Sequence, residues 1–146
     1  MTTIPCRTQD DPVLQVLDDQ ECLALVGSVG LGRIAFTEGA LPAVLPVSFA
    51  LVGPEVVFLT HPGSRMAGTS RGTVVAFEVD DIDVPAGTGW SVTIVGPSRL
   101  VGDTAEIAGL DALGVRPWPP ADHWRYVGVQ TALLRGSRHG PRDTAA

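Results

Sequence analysis

A chain of 146 residues with 45% hydrophobic and 18% charged residues is long enough for one core and too apolar to stay unfolded. Its formal net charge of −6 excludes the basic surface that non-specific nucleic-acid binding needs, although a single local anion site remains compatible with it. All ten basic residues are arginine, which rules out Schiff-base chemistry and any lysine-dependent phosphate loop.

Seventeen glycines and twelve prolines separate short, valine-rich apolar runs, a pattern that favours a β-rich domain over a helical bundle. No apolar run is long enough to cross a bilayer, and the N-terminus lacks the basic-then-apolar pattern of a secretory leader, so a soluble cytoplasmic protein is expected. Cys6 and Cys22 lack metal-type spacing and read as reduced thiols.

In chain order, residues 1–12 are polar and read as a flexible arm. A helix follows from Asp18 or Asp19, with Glu21 in its first turn, Cys22, Leu23, Leu25 and Val26 on its apolar face, and Gly27 or Gly30 as its stop. A first strand covers residues 32–37 and turns at Glu38 and Gly39. The second covers residues 42–52, and Pro46 inside it implies an edge strand or a bulge, because proline gives no ladder hydrogen bond. A bulge would free backbone groups of Val47 and Ser48 for a ligand.

Val56, Val57, Phe58 and Leu59 form a buried third strand that Thr60 ends. His61, Pro62 and Gly63 break the chain direction, Ser64 stands where a helix N-cap belongs, and Arg65 lies in the first turn. Two hydroxyls, a guanidinium and the free N–H groups of a helix start suit a phosphate. An ordinary capped helix with a solvated arginine would use the same residues.

Residues 73–79 read as a fourth strand, and Asp80, Asp81 and Asp83 as a solvated loop. The fifth strand covers residues 90–101 with a bulge or bend at Gly96 and Pro97. Asp103 and Glu106 then spell a capping box for a helix that ends before Gly114. Residues 115–120 are proline-rich, a last strand covers residues 124–134, and the chain ends in an arginine- and glycine-rich tail. The whole reads as one domain: an arm of residues 1–12, a barrel of residues 13–136 and a flexible tail of residues 137–146. Six strands are too many for one flat sheet of this size, so a closed barrel with flanking helices is expected. His61, His123 and His139 have no partner histidine at helical spacing, and nucleophile elbows, Walker loops, Rossmann fingerprints and paired cysteines are all missing from the sequence. With no catalytic side chain and no metal set in view, redox chemistry would fall to a cofactor.

Five segments over about residues 18–136 carry a resemblance: ECLALVGSVGLGRIAF, LPAVLPVSFAL, VVFLTHPGSRM, VVAFEVDDID and GWSVTIVGPSRLV. In this order they resemble the pyridoxamine 5′-phosphate oxidase-like FMN-binding split β-barrel proteins, in particular small actinobacterial flavoproteins related to nitroimidazole reductases. The resemblance implies a mainly β, α+β fold: a six-stranded split barrel with flanking helices, two subunits side by side and a flavin in each interface groove. It makes Thr60, Ser64 and Arg65 the phosphate and ribityl contacts. It sets Pro46, Val47 and Ser48 along the isoalloxazine edge and brings Trp90 and Ser91 from the fifth strand, with Arg135 or Arg138 approaching from near the C-terminus.

The activity so implied is that of a homodimeric FMN oxidoreductase passing hydride or electrons from a small donor to a small acceptor, with no nucleic-acid or membrane partner. Family oxidases follow the Ser-Arg pair with a phosphate-binding lysine, whereas this chain has Met66, and the substrate pattern of true pyridoxamine phosphate oxidases is missing from the sequence. A deazaflavin-dependent reductase is a close alternative; its longer acidic tail would want further cations, for which Arg33, Arg71 and Arg99 are available. A non-catalytic flavin- or heme-binding protein or sensor on the same dimeric barrel is the other.

Overall fold

The computed structural model describes residues 14–64, 66–67, 71–118, 120 and 123–140. Among them run β1 (Leu14–Val16), α1 (Asp19–Gly27), β2 (Leu31–Glu38), β3 (Leu41–Val52), β4 (Glu55–Thr60) and β5 (Arg71–Asp83). Then come β6 (Thr88–Leu100), α2 (Thr104–Asp111), β7 (Arg125–Gln130) and β8 (Leu133–His139). The antiparallel pairings run β6-β5-β2-β3-β4-β7 and return to β6, so six strands close into a barrel, while β8 and then β1 extend from β6. Closure pairs β6 with β7, the two strands that would otherwise be the edges of the six-stranded sheet.

Closure depends on how β6 divides one of its edges. Its first edge pairs with β5 along most of its length. Its second edge pairs with β8 from Gly89 to Val95 and with β7 from Ser98 to Leu100. The partner changes at Gly96 and Pro97, where proline has no N–H to withhold from either neighbour. A Cβ at Gly96 would lie 1.7 Å from the Gln130 carbonyl oxygen, so only glycine lets the β7–β8 turn pass this close. The bulge or bend expected at Gly96 is therefore a change of partner. Pairing with β5 stays in register through it, Val75 facing Gly96 and Val74 facing Pro97.

Other boundaries also differ from the sequence expectation. The single last strand is two, β7 and β8, and the second extends to His139, three residues into the stretch expected to fray. Ser137, Arg138 and His139 are held between β6 and β1. The three aspartates expected in a loop belong to β5, where Asp80 faces Ser91, Asp81 faces Trp90 and Asp83 faces Thr88. The arm of residues 1–12, with Cys6, lies outside the described residues; Cys22 is a buried free thiol.

Side-chain alternation builds two cores from β4. Val56 and Phe58 point into the barrel with Ile34, Met66, Phe77 and Ile94, and Phe49 meets Phe77 edge to face with ring centroids 4.8 Å apart. Val57 and Leu59 face the other way, forming a second cluster with Val101, Leu110 and Tyr126 under α2. The cap of α1 is the expected one, Asp18 Oδ1 accepting from Glu21 N at 2.8 Å. The capping box of α2 is not formed: Asp103 makes no side-chain cap bond, and Glu106 is drawn instead to Arg99. Arg99 also donates to both carboxylate oxygens of Glu55, at 2.8 and 2.7 Å, and so ties β6, β4 and α2 together.

Candidate cofactor site

At the end of β4 the apolar run gives way to a polar corner. Ser64 N donates to the His61 carbonyl at 2.9 Å and Gly63 N to His61 Nδ1 at 3.1 Å, which closes the turn. Ser64 Oγ accepts from Ala67 N at 3.1 Å, the bond of a helix N-cap. The buried Thr60 Oγ1 lies 2.8 Å from Ser64 Oγ. One hydroxyl proton is used between the two, leaving the other to donate to an anion. Arg65, the cation expected here, lies outside the described residues. Met66 is wholly buried in the barrel core, so this position offers the corner no charge.

The second group of expected residues lies across a gap from this corner. β3 and β4 pair from Phe49↔Phe58 to Val52↔Glu55; beyond Phe49 the ladder stops, although β4 continues to Thr60. Phe49 N donates to Gly30 O at 3.1 Å, and the two-residue alternation of an antiparallel ladder then sets the backbone groups of Val47 against β2. Ser48, Pro46, Val44 and Pro42 face the open edge. Both prolines of β3 thus occupy positions where the missing N–H costs no ladder bond. Register with β2 is unbroken through Arg33↔Pro46, so the expected bulge is not formed and Val47 is not freed: its side chain is buried as well. Ser48 and Pro46 remain at the open edge. A cavity of about 270 Å³ adjoins it, lined by Leu31, Ser48, Arg116 and Trp118 among others.

Trp90 and Ser91 are not brought to the corner within one chain. Both open β6, Trp90 between Asp81 and Arg138, Ser91 between Asp80 and Ser137. Ser91 lines a cavity of about 500 Å³ with Thr93, Arg135 and Ser137, whereas the half-buried Trp90 packs on the main core. Glu78 faces Thr93 in the adjoining ladder. Burial, then the hydrogen bond and charge of Asp80, push Glu78 up to about 7, against the pull of Arg33 at 3.9 Å.

Two neighbours of the corner escaped the sequence reading. Arg125 faces Thr60 across the β4–β7 ladder, and the Trp124 ring meets His61 edge-on with centroids 6.5 Å apart. Nothing local in the sequence marks Arg125, since only the barrel pairing brings it to Thr60. Both residues line a cavity of about 460 Å³ with Leu59, Ile107, Asp111 and Tyr126. Tyr126 donates to Asp111 Oδ1 at 2.7 Å, and burial together with that carboxylate pushes the phenol up to about 12.

A family model described as pyridoxamine 5′-phosphate oxidase matches residues 18–136. The chain belongs to this family. The uncharacterized protein Rv0080 of Mycobacterium tuberculosis is 34% identical over 127 residues, which are 84% of this chain and 83% of the relative. Among solved structures of the same architecture, the FAD binding protein from Mycobacterium smegmatis is 31% identical with a TM-score of 0.76, over 87% of this chain and 99% of that one. The protein DIP1874 of Corynebacterium diphtheriae is 30% identical with a TM-score of 0.74, over 88% and 99%. The expected six-stranded split barrel with flanking helices is thus the fold of this family member.

Proposed function

We propose that this family member is a homodimeric flavoprotein oxidoreductase of the cytoplasm, holding the FMN moiety of a flavin between the Thr60–Ser64 corner and the open edge of β3. The observation that carries the reading is the hydroxyl pair at a capped helical turn, beside the stretch of β3 before Phe49 that has no partner in β4. Thr60 and Ser64 hold the phosphate, with Arg65, next in the chain, as its cation. The isoalloxazine lies along Ser48 and Pro46, and the Ser48 N–H, directed to the open edge, stabilises negative charge on the reduced ring. Bound there, the flavin supplies hydride or electron transfer between a small donor and a small acceptor. No side chain need act as acid or base.

The expected site falls into two halves, one at Thr60 and Ser48 and the other at Trp90 and Ser91. A second copy of the chain would supply the second half, with Arg135 or Arg138, over the ring. The M. smegmatis FAD binding protein lends support to flavin as the ligand. For a deazaflavin with a long acidic tail, two of the three spare cations are already engaged: Arg33 lies 3.9 and 3.8 Å from Glu78 and Asp80, and Arg99 is bound to Glu55 and Glu106.

Titration of the purified protein with flavin, followed by reduction with NAD(P)H and reoxidation by a small acceptor, tests the proposal. Saturable uptake with turnover is expected. Uptake without electron transfer would make the protein a flavin carrier or sensor, and no uptake would end the flavoprotein reading.

A further inference from the structure

We infer that the cavity between α2 and the β4–β7 wall receives the adenosine half of flavin adenine dinucleotide, with Arg125 on the bridging phosphates. The inference rests on the flavin reading above and deepens it, since that reading requires only the phosphate common to FMN and FAD.

Arg125 belongs to both places at once. It faces Thr60 in the ladder, and directly opposed residues stand roughly 5 Å apart. It also lines the cavity of about 460 Å³, a volume within the usual range for small-molecule sites. Arg33 and Arg99 are held by carboxylates, but Arg125 is exposed and makes no ion pair with any described residue. In the flavin reading a single phosphate takes the hydroxyl corner. A second phosphate needs a second cation, and Arg125 both opposes Thr60 and lines the cavity.

The lining suits a flat aromatic base that carries an amine. Leu59, Ile107 and Trp124 give apolar surface on which a flat base can pack. The polar side chains facing them are Asp111 and Tyr126. The phenol proton is already given to Asp111 Oδ1, so both present acceptors, which match the exocyclic amine of adenine and the hydroxyls of its ribose. The connection is short: Leu59 precedes Thr60, Trp124 precedes Arg125, and the His61 ring touches Trp124.

Binding of FMN and FAD to the full-length protein, each measured by flavin fluorescence, provides the test, with AMP added to the FMN-loaded protein as a third arm. Arg125→Gln and Trp124→Phe are the variants, each checked by its melting curve. FAD should bind at least roughly tenfold more tightly than FMN, Arg125→Gln should remove most of that preference while FMN affinity changes far less, and AMP should bind beside FMN. Equal affinity for FMN and FAD would overturn the inference and leave the flavin reading standing. An FAD preference that both variants retain would overturn the assigned location. Failure of both flavins to bind would overturn the flavin reading and the inference with it.

Discussion

Ser64→Asp separates the two roles that the corner gives to one side chain. As an N-cap, aspartate ranks with serine, so the bond to Ala67 N survives and folding stability should change by no more than about 0.5 kcal/mol. As a phosphate contact, the same change sets a carboxylate against an anion. Two unit charges about 4 Å apart repel by about 4 kcal/mol at an effective dielectric of about 20, which is close to a thousandfold in affinity. Salt screening lowers this, and a loss of at least about a hundredfold remains expected at physiological ionic strength. Ser64→Asn keeps the cap without the charge and should lose about tenfold or less. Thermal melts and flavin fluorescence titrations on the same preparations read the two effects separately. If Ser64→Asp binds flavin about as well as the unaltered chain, the phosphate is elsewhere. If it unfolds, the cap has been misassigned.

Gly96→Ala should be the most damaging of the small glycine substitutions, because its Cβ would meet a backbone oxygen at 1.7 Å. A cost of about 3 kcal/mol, lowering Tm by roughly 6–12 °C, is expected, whereas Gly109→Ala, with nothing within 4 Å on α2, should raise stability by up to about 1 kcal/mol. Glu78 is held more readily protonated in the fold, near 7 against an ordinary 4.5, so its contribution to stability is complete below about 4.5 and is lost as pH rises through about 7. Glu78→Gln should therefore flatten the fall in Tm across that window, and an unchanged pH profile would contradict the assignment. Sedimentation equilibrium should give twice the 15.3 kDa chain mass, and a strictly monomeric species that still binds flavin fully would show that one chain completes the site.

Much of the barrel is legible in the residues, because β2, β3 and β4 are bounded by glycine and proline turns and carry their apolar residues in short runs. The departures have local physical causes. β1 is three residues long and exists only by pairing with β8, so no periodicity could announce it. The acidic end of β5 looks like a loop until Arg33 appears 3.8 Å from Asp80, and until β6 supplies a paired edge along Asp80 to Asp83. Glu106 has the spacing of a capping box, but Arg99, seven residues earlier, outcompetes the backbone for it. Pro46 signals an edge correctly; that the N–H turned to this edge is that of Ser48 rather than Val47 follows from the bond between Phe49 and Gly30. At the corner, Thr60 and Ser64 could be read directly because they flank one tight turn. Arg125, sixty-five positions after Thr60, could not, because only barrel closure makes them neighbours.

The most direct measurement is flavin stoichiometry by equilibrium dialysis, followed by the visible spectrum of the retained protein. About one flavin per chain is expected, with absorption bands shifted from those of free flavin, and almost none should be retained by Ser64→Asp. A protein that holds no flavin, or that holds it equally well with a carboxylate at position 64, would contradict a cofactor anchored where Thr60 meets Ser64.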